Sequence, residues 1–474
     1  MKSAFGGKIR NLRKNKIKTI ILSAFLFFVF SIKPILASEN IFGLHLTQTQ
    51  DLLSAKDIIN SSGGDWGWVT IVIRLDQLNH QTWQDFFDNC RKYHLIPIIR
   101  LATIADDDNW KVPQNSDIDN LANFLNSLNW PTKTQHIILF NEVNHGQEWG
   151  GEVNIKNYVD ASIYASQKFK SLNQNFFILG SAIDLASPDK SPDFISAKTA
   201  YQEIYLYKPE YFDHIDGIAS HSYPNHGFIG TPKDTGQHSL RGYSWELDTI
   251  KKLGIKKEFT VFITETGWPH REGLNSRNNF YTTKTTSQFL LDAYQIWSQD
   301  PKIKAVTPFI YNYPDQPFDH FSWLDQNEQL YPEYQKFIDQ PKVPNVPEQI
   351  TSYQLYKNQI PFIIFANHEY NGQISLKNTG QSIWGEKTFC LQPQVNDQVE
   401  ITPICVTEND KIYPNQIKIF PFKFKINNSS LKKITLSWEN LPSTEIILFS
   451  ENSVIYHPKF NLIEKIKSFF AKFW

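Results

Sequence analysis

The stretch His136-Ile-Ile-Leu-Phe-Asn-Glu142-Val-Asn-His-Gly146 decides the reading of the fold. Residues 137–140 are a short, uninterrupted apolar run, as expected of a strand covered on both faces in a parallel sheet. The run then breaks abruptly into Asn141-Glu142. Three similar runs precede it, at residues 41–46, 69–75 and 96–101, and four follow, at 176–180, 217–220, 260–264 and 305–310. Helical periodicity fills the gaps. Trp83, Phe86, Phe87 and Cys90 share one stripe, as do Ile155, Tyr158, Val159, Ser162, Ile163, Ser166 and Phe169. Residues 287–298 (SQFLLDAYQIWS) lead toward the last run in the same way. A doubly wound open sheet would alternate similarly, but eight runs over roughly 300 residues favour a closed (β/α)8 TIM barrel.

Beyond the barrel the texture changes. Pro341-Lys-Val-Pro-Asn-Val-Pro347 reads as a Pro-rich linker, and residues 374–380, 399–405, 416–426, 433–438 and 445–449 show the alternation and turn signals of an all-β sandwich. The expected partition is a leader or anchor at 1–37, a barrel at 38–340, a linker at 341–349, a β-sandwich at 350–456 and an amphipathic tail at 457–474. The leader has a basic start (Lys2, Lys8, Arg10, Arg13, Lys14, Lys16, Lys18) and an apolar stretch at 19–32. Ile35-Leu36-Ala37 offers a cleavage site, so the chain is expected to be exported, secreted or held at the cell surface. Cleavage and retention as an anchor both remain open. The tail places Leu462, Ile463, Ile466, Phe469, Phe470, Phe473 and Trp474 on one helical face, which suits either a membrane surface or packing on the sandwich.

Composition narrows the function classes. Apolar residues at 41% and charged residues at 20% are ordinary for a globular chain with a core. A net charge of −1 gives no electrostatic reason to bind nucleic acid. The 13 Trp suit either a large aromatic core or a cleft whose flat faces meet sugar rings. Three Cys exclude a four-Cys zinc site, and Cys390 and Cys405 are either a pair or two free thiols. His221 and His226 have no third ligand at useful spacing, so neither metal nor cofactor is expected.

A second motif, Phe262-Ile-Thr-Glu265-Thr-Gly-Trp-Pro269, ends the seventh run. The C-terminal strand ends of a parallel barrel open onto one face, so Glu142 and Glu265 converge there although far apart in the chain. Two carboxylates across such a mouth can act as proton donor and nucleophile at a glycosidic bond. Asn-Glu after the fourth strand and Glu after the seventh resembles the retaining (β/α)8 glycoside hydrolases of the four/seven superfamily, or clan A, which includes cellulases, mannanases, xylanases and β-1,3-glucanases. That resemblance implies a β-glycan hydrolase acting on a polysaccharide or oligosaccharide by double displacement. It makes Glu142 the acid/base, Glu265 the nucleophile and Asn141 the partner of the sugar 2-hydroxyl. Arg74 would orient the nucleophile, and His221 and Tyr223 in Ala-Ser-His-Ser-Tyr-Pro would match the His-x-Tyr element. Trp323 or Trp268 would be the platform under the sugar, and Trp149 suits either packing or a platform. Glu148 is a rival acid. A catalytically inactive or transglycosylating glycan-binding protein on the same barrel is the alternative. Ser375-Leu-Lys-Asn-Thr-Gly-Gln-Ser-Ile-Trp384 resembles immunoglobulin-like accessory domains that follow bacterial enzymes.

Overall fold

The computed structural model describes residues 39–455, except 362, 387, 396, 428–432, 442–443 and 451–452. The expected leader and amphipathic tail lie outside the described residues. Among the described residues no helix is long and apolar enough to cross a membrane.

Eight parallel strands stand in sequence order: β1 Gly43–Leu46, β2 Gly67–Arg74, β3 Leu95–Ala102, β4 Gln135–Ile138, β5 Phe176–Gly180, β6 Gly217–His221, β7 Thr260–Glu265 and β8 Ile303–Val306. The sheet closes where Phe42 pairs with Val306 and the Val306 amide donates to Ile41 O at 2.7 Å. A helix follows each strand: α1 Leu52–Ile59, α2 His80–Lys92, α3 Asn115–Ser127, α4 Ile155–Leu172, α5 Ala197–Tyr207, α6 Gly242–Lys252, α7 Thr283–Trp297 and the short α8 Gln335–Asp339. The eight apolar runs are these eight strands, shifted by a few residues at most. At Gly43 the first strand is tight between both neighbours, since a Cβ there would lie 2.4 Å from Trp68 O on β2 and 2.7 Å from Thr307 Cγ2 just beyond β8.

The helices start where side chains satisfy their orphan amides. Asn79, Asn154 and Thr282 cap α2, α4 and α7 by accepting from Thr82, Asn157 and Thr285. Their apolar stripes, such as Trp83, Phe86, Phe87 and Cys90 on α2, pack on the outside of the strands. The inward positions form a separate barrel core that includes Trp68, Ile98, Ile138, Leu179, Phe262 and Ala305. Alternation along each strand divides these two sets. The wide rings of Trp68, His136, Phe177 and Phe262 meet one another in the lower half of the barrel.

The Pro-rich linker is a strap docked on the barrel. Pro344 bridges Asp65, and buried Asn345 donates to Asn40 O and Trp66 O while its carbonyl accepts from the Asn40 amide. The chain then forms two four-stranded antiparallel sheets. One orders Tyr353–Gln359, Glu369–Asn378, Ile417–Ile426 and Val399–Ile401; the other orders Ile363–Ile364, Ser453–Ile455, Thr444–Ser450 and Lys433–Leu436. Between them lies a core that includes Trp384, Phe422, Phe424 and Trp438. Cys390 and Cys405 sit opposite one another in a two-stranded ladder and are disulfide-bonded, whereas Cys90 is a buried free thiol. The sandwich is tied to the barrel through Arg91, whose Nε donates to Gln381 O at 2.6 Å and whose Nη2 donates to Asn129 O at 2.7 Å. Asn129 in turn donates to Gly380 O, and Gln381 to Thr132 O. Residues 129–132 precede β4, so the sandwich holds the end of the barrel opposite its mouth.

Candidate active site

The mouth is a cleft of about 600 Å³ whose lining runs from His45 to Phe321 and includes no sandwich residue. Its floor follows from strand register. Ile96, Ile98 and Arg100 point inward along β3, as Thr70, Val72 and Arg74 do along β2. Val72 pairs with Arg100, and Arg74 pairs with Ala102. Arg100 therefore sits one layer deeper than Arg74.

That offset decides which arginine serves the carboxylates. Arg100 Nη1 lies 3.5 Å from Glu265 Oε1, with both side chains largely buried. Arg74 lines the cleft but forks onto Asp76, with Nε to Oδ1 at 3.0 Å and Nη2 to Oδ2 at 2.6 Å. Its guanidinium also lies 5.7 Å from the Trp110 ring. The expectation that Arg74 orients Glu265 is corrected: a strand-end arginine at the rim finds a near carboxylate in its own loop, and Arg100 holds the inner place.

After β4, Phe140 adopts a left-handed backbone with φ 72°, a costly state for an aromatic residue. The chain turns there, and Asn141 and Glu142 enter the cleft. The Phe140 ring packs edge-on against buried Trp149, which supports the turn. His221, at the end of β6, is fully enclosed, and its Nδ1 meets Glu142 Oε1 at 2.7 Å and Glu265 Oε2 at 3.7 Å. The Tyr223 hydroxyl donates to Glu265 Oε2 at 3.2 Å. One histidine thus touches both glutamates. The two contacted oxygens lie within about 6.4 Å of one another, the sum of those two distances.

The charges are mutually supporting. Burial pushes the Glu265 pKa up, but His221, His45, Arg100 and the Tyr223 hydrogen bond outweigh it and hold the carboxyl below its ordinary value. His45 itself is lowered to about 4, chiefly by burial, so it is neutral near pH 7 and His221 and Arg100 carry the effect there. Burial lowers His221, yet Glu265 and Glu142 beside it raise its pKa above 6.5. Two further polar atoms are buried without a hydrogen-bond partner among the described residues, Asn141 Oδ1 and Arg100 Nε. Buried groups of this kind are stabilised by a ligand that supplies the missing partner.

Glu148 is also in the cleft. It lies on the short turn Gly146–Glu148, where burial raises its pKa, Arg100 opposes and Glu142 adds to the rise. His145 and Asp184 form a 2.8 Å pair between the loops after β4 and β5.

The two tryptophans expected as platforms are not in the cleft. Trp323 is 1% exposed, stacked on Tyr334 at 4.5 Å and tilted against Phe337. Trp268 is 2% exposed, with its Nε1 donating to Gly230 O. Each is core because a loop folds its ring back onto a helix or turn. Trp110, from a short hairpin after β3, and Phe309, beyond β8, line the cleft instead. Sequence reading missed Arg100, His45 and Phe309. A charged or imidazole group inside an otherwise apolar strand, as in Ile-Pro-Ile-Ile-Arg100 and Phe-Gly-Leu-His45, was the available signal for the first two.

A (β/α)8 barrel with two glutamates and a shared histidine at the C-terminal strand ends defines the class of site. No protein-family description matches the chain, and no curated protein does. Among solved structures it is similar to a family 39 glycoside hydrolase from the gut symbiont Bacteroides cellulosilyticus WH2, at 12% identity and a TM-score of 0.45, covering 82% of this chain and 81% of that one. It is similar to a glucosidase from Croceicoccus marinus, at 8% identity and a TM-score of 0.47, covering 83% and 97%. It is also similar to a GH5_18 protein from Streptomyces cattleya, solved in complex with Manb1-4GlcNAc, at 13% identity and a TM-score of 0.44, covering 64% and 80%.

Proposed function

We propose that this chain is an exported retaining β-glycoside hydrolase. The observation that carries the reading is His221 Nδ1 in reach of both Glu142 and Glu265. Glu265, held ionised by His221 and Arg100, attacks the anomeric carbon as the glycosidic C–O bond breaks. Glu142, as the acid, gives its carboxyl proton to the departing oxygen, leaving Glu142 ionised and a covalent glycosyl-enzyme on Glu265. Glu142 then takes a proton from water, which attacks the same carbon and frees Glu265. His221 between them keeps the two contacted oxygens no more than about 6.4 Å apart, in keeping with the close carboxylates of double displacement. The choice of retention over inversion rests on the clan A resemblance. Asn141 lines the cleft beside Glu142, which supports its reading as the partner of the sugar 2-hydroxyl. The Cys390–Cys405 disulfide suits the oxidising compartment that the basic and apolar N-terminal sequence implies.

The test is trapping with 2-deoxy-2-fluoro β-glycosyl fluorides, read by peptide mass spectrometry, alongside NMR of the first-formed product. An adduct on the Glu265 peptide, absent in Glu265→Gln, with a β product formed first is the expected outcome. An α product formed first, with no adduct, would assign the site to single displacement.

A further inference from the structure

The cleft has two unlike sides. One, built from β2 to β5 and their loops, carries Glu142, Glu148, Arg74, Arg100 and the His145–Asp184 pair, with Glu265 at the seam where Tyr223 meets it. The other is a wall of rings from the loops after β6 and β8: Tyr223, Phe228, Phe309, Tyr313, Phe318 and Phe321. Each ring meets the next edge to face, with centroids 5.2 Å apart for Tyr223–Phe228 and 5.3 Å for Phe228–Phe321. The chain of contacts continues at 5.8 Å for Phe309–Phe321, 5.2 Å for Phe309–Phe318 and 5.4 Å for Tyr313–Phe318. Interlocked rings of this kind favour one geometry and present a fixed surface.

The apolar character extends outward from the wall. Phe318 is 40% exposed, and Ile229, next to Phe228, is 59% exposed. Leu274 is 49% exposed, and its amide donates to Oδ2 of Asp319, the residue after Phe318. Exposed apolar side chains in the segments that carry the ring wall add to the apolar surface at the edge of the cleft.

Four of the six rings are phenyls and offer neither donor nor acceptor. A second sugar could lay its C–H face on a ring, but of this wall only the Tyr hydroxyls can pair with its own. That of Tyr223 is engaged by Glu265, so the sugar hydroxyls facing the phenyls would lose water without a partner. An apolar group there loses nothing and takes ring surface out of water. The one indole in the cleft lining, Trp110, stands with Arg74 on the polar side, and Trp149, Trp268 and Trp323 are turned into the core. We infer that the leaving group is an apolar aglycone, an alkyl, aryl or lipid-like alcohol β-linked to a sugar held against the polar side. This rests on the glycoside hydrolase reading and narrows it away from the polysaccharide that the sequence suggests.

The experiment compares kcat/KM of the full chain on octyl and methyl β-glycosides and on the β-1,4-linked disaccharide, each for glucose, mannose and xylose. All the leaving groups are alcohols, so differences report contacts with the aglycone. For the sugar accepted, the octyl glycoside is expected to exceed the disaccharide by about tenfold or more. Phe318→Ser and Phe228→Ser should each reduce the octyl-to-methyl ratio by about tenfold. Preference for the disaccharide, or an octyl-to-methyl ratio unchanged in both variants, overturns the aglycone assignment while leaving the hydrolase standing. No hydrolysis of any compound, with no adduct on Glu265, overturns both.

Discussion

Arg100 Nη1 lies 3.5 Å from Glu265 Oε1, while Arg74, one layer nearer the rim, is engaged by Asp76. A fixed cation in a buried site acts on developing charge far more strongly than one at a wet rim. Arg100→Met is therefore expected to lower kcat/KM by about 10²–10³-fold, and Arg74→Met by less than about tenfold. Steady-state kinetics on one aryl β-glycoside checks this. Equal losses in the two variants would remove the special role given to Arg100.

His221 is expected to titrate above 6.5, because Glu265 and Glu142 together outweigh its burial and the opposing Arg100. A raised folded pKa gives stability that is fully present below 6.5 and is lost as pH rises through the folded value. Glu265 is depressed, so its contribution is present above 4.5 and is lost only as pH falls through its lower folded value. The melting temperature should therefore be highest between these limits and decline on the alkaline side of 6.5. Glu265→Gln removes the larger of the two raising charges, so its His221 should titrate lower and its alkaline decline should be smaller and finish at a lower pH. Imidazole NMR titration and thermal melts across pH measure both. An unshifted His221 in the variant would show that the pair is not coupled.

Arg91 is 1% exposed and donates to Gln381 O, Asn129 O, Asn129 Oδ1 and Trp130 O. Its removal leaves several buried carbonyl groups short of a partner at the joint between barrel and sandwich. Arg91→Ala is expected to destabilise the protein by about 2–4 kcal/mol, most of it from those unpaired acceptors. In calorimetry the sandwich should begin to unfold separately from the barrel. A single unshifted transition would show that this joint adds nothing to stability.

The barrel was legible because burial on both faces writes each strand as an apolar run, and nothing but a strand fits eight such runs between helical stripes. Glu142, Glu265, His221 and Tyr223 were legible because each ends a run with a polar side chain, and the structure brings all four together. Arg74 and Arg100 look alike on that criterion, and choosing between them needs the β2–β3 register, which no single strand encodes. Trp268 and Trp323 misled because an indole after a strand can face the cleft or fold back onto the core. The loop that decides this is held by long-range contacts such as Trp268 Nε1 to Gly230 O. Glu148 reads in the sequence as a rival acid, and a short turn directs it into the cleft.

Glu148 makes the choice of proton donor the most informative remaining test. Burial raises its pKa, so it is a carboxyl group that can hold a proton in the cleft. What it lacks is the place of Glu142, which meets His221 Nδ1 at 2.7 Å, the same nitrogen that reaches Glu265. In the proposed double displacement the acid/base serves the leaving oxygen and then the incoming water at the carbon joined to Glu265, so the residue coupled to Glu265 is favoured. Glu142→Ala should slow glycosides with poor leaving groups by about 10²–10⁴-fold and those with activated aryl groups much less. Azide should then restore turnover of the activated substrates and yield the β-glycosyl azide, because a small anion enters where the carboxylate stood and needs no base. Glu148→Ala should lose activity evenly across leaving groups and gain nothing from azide. If azide instead rescues Glu148→Ala and not Glu142→Ala, the donor is Glu148, and Glu142 serves to hold the proton on His221.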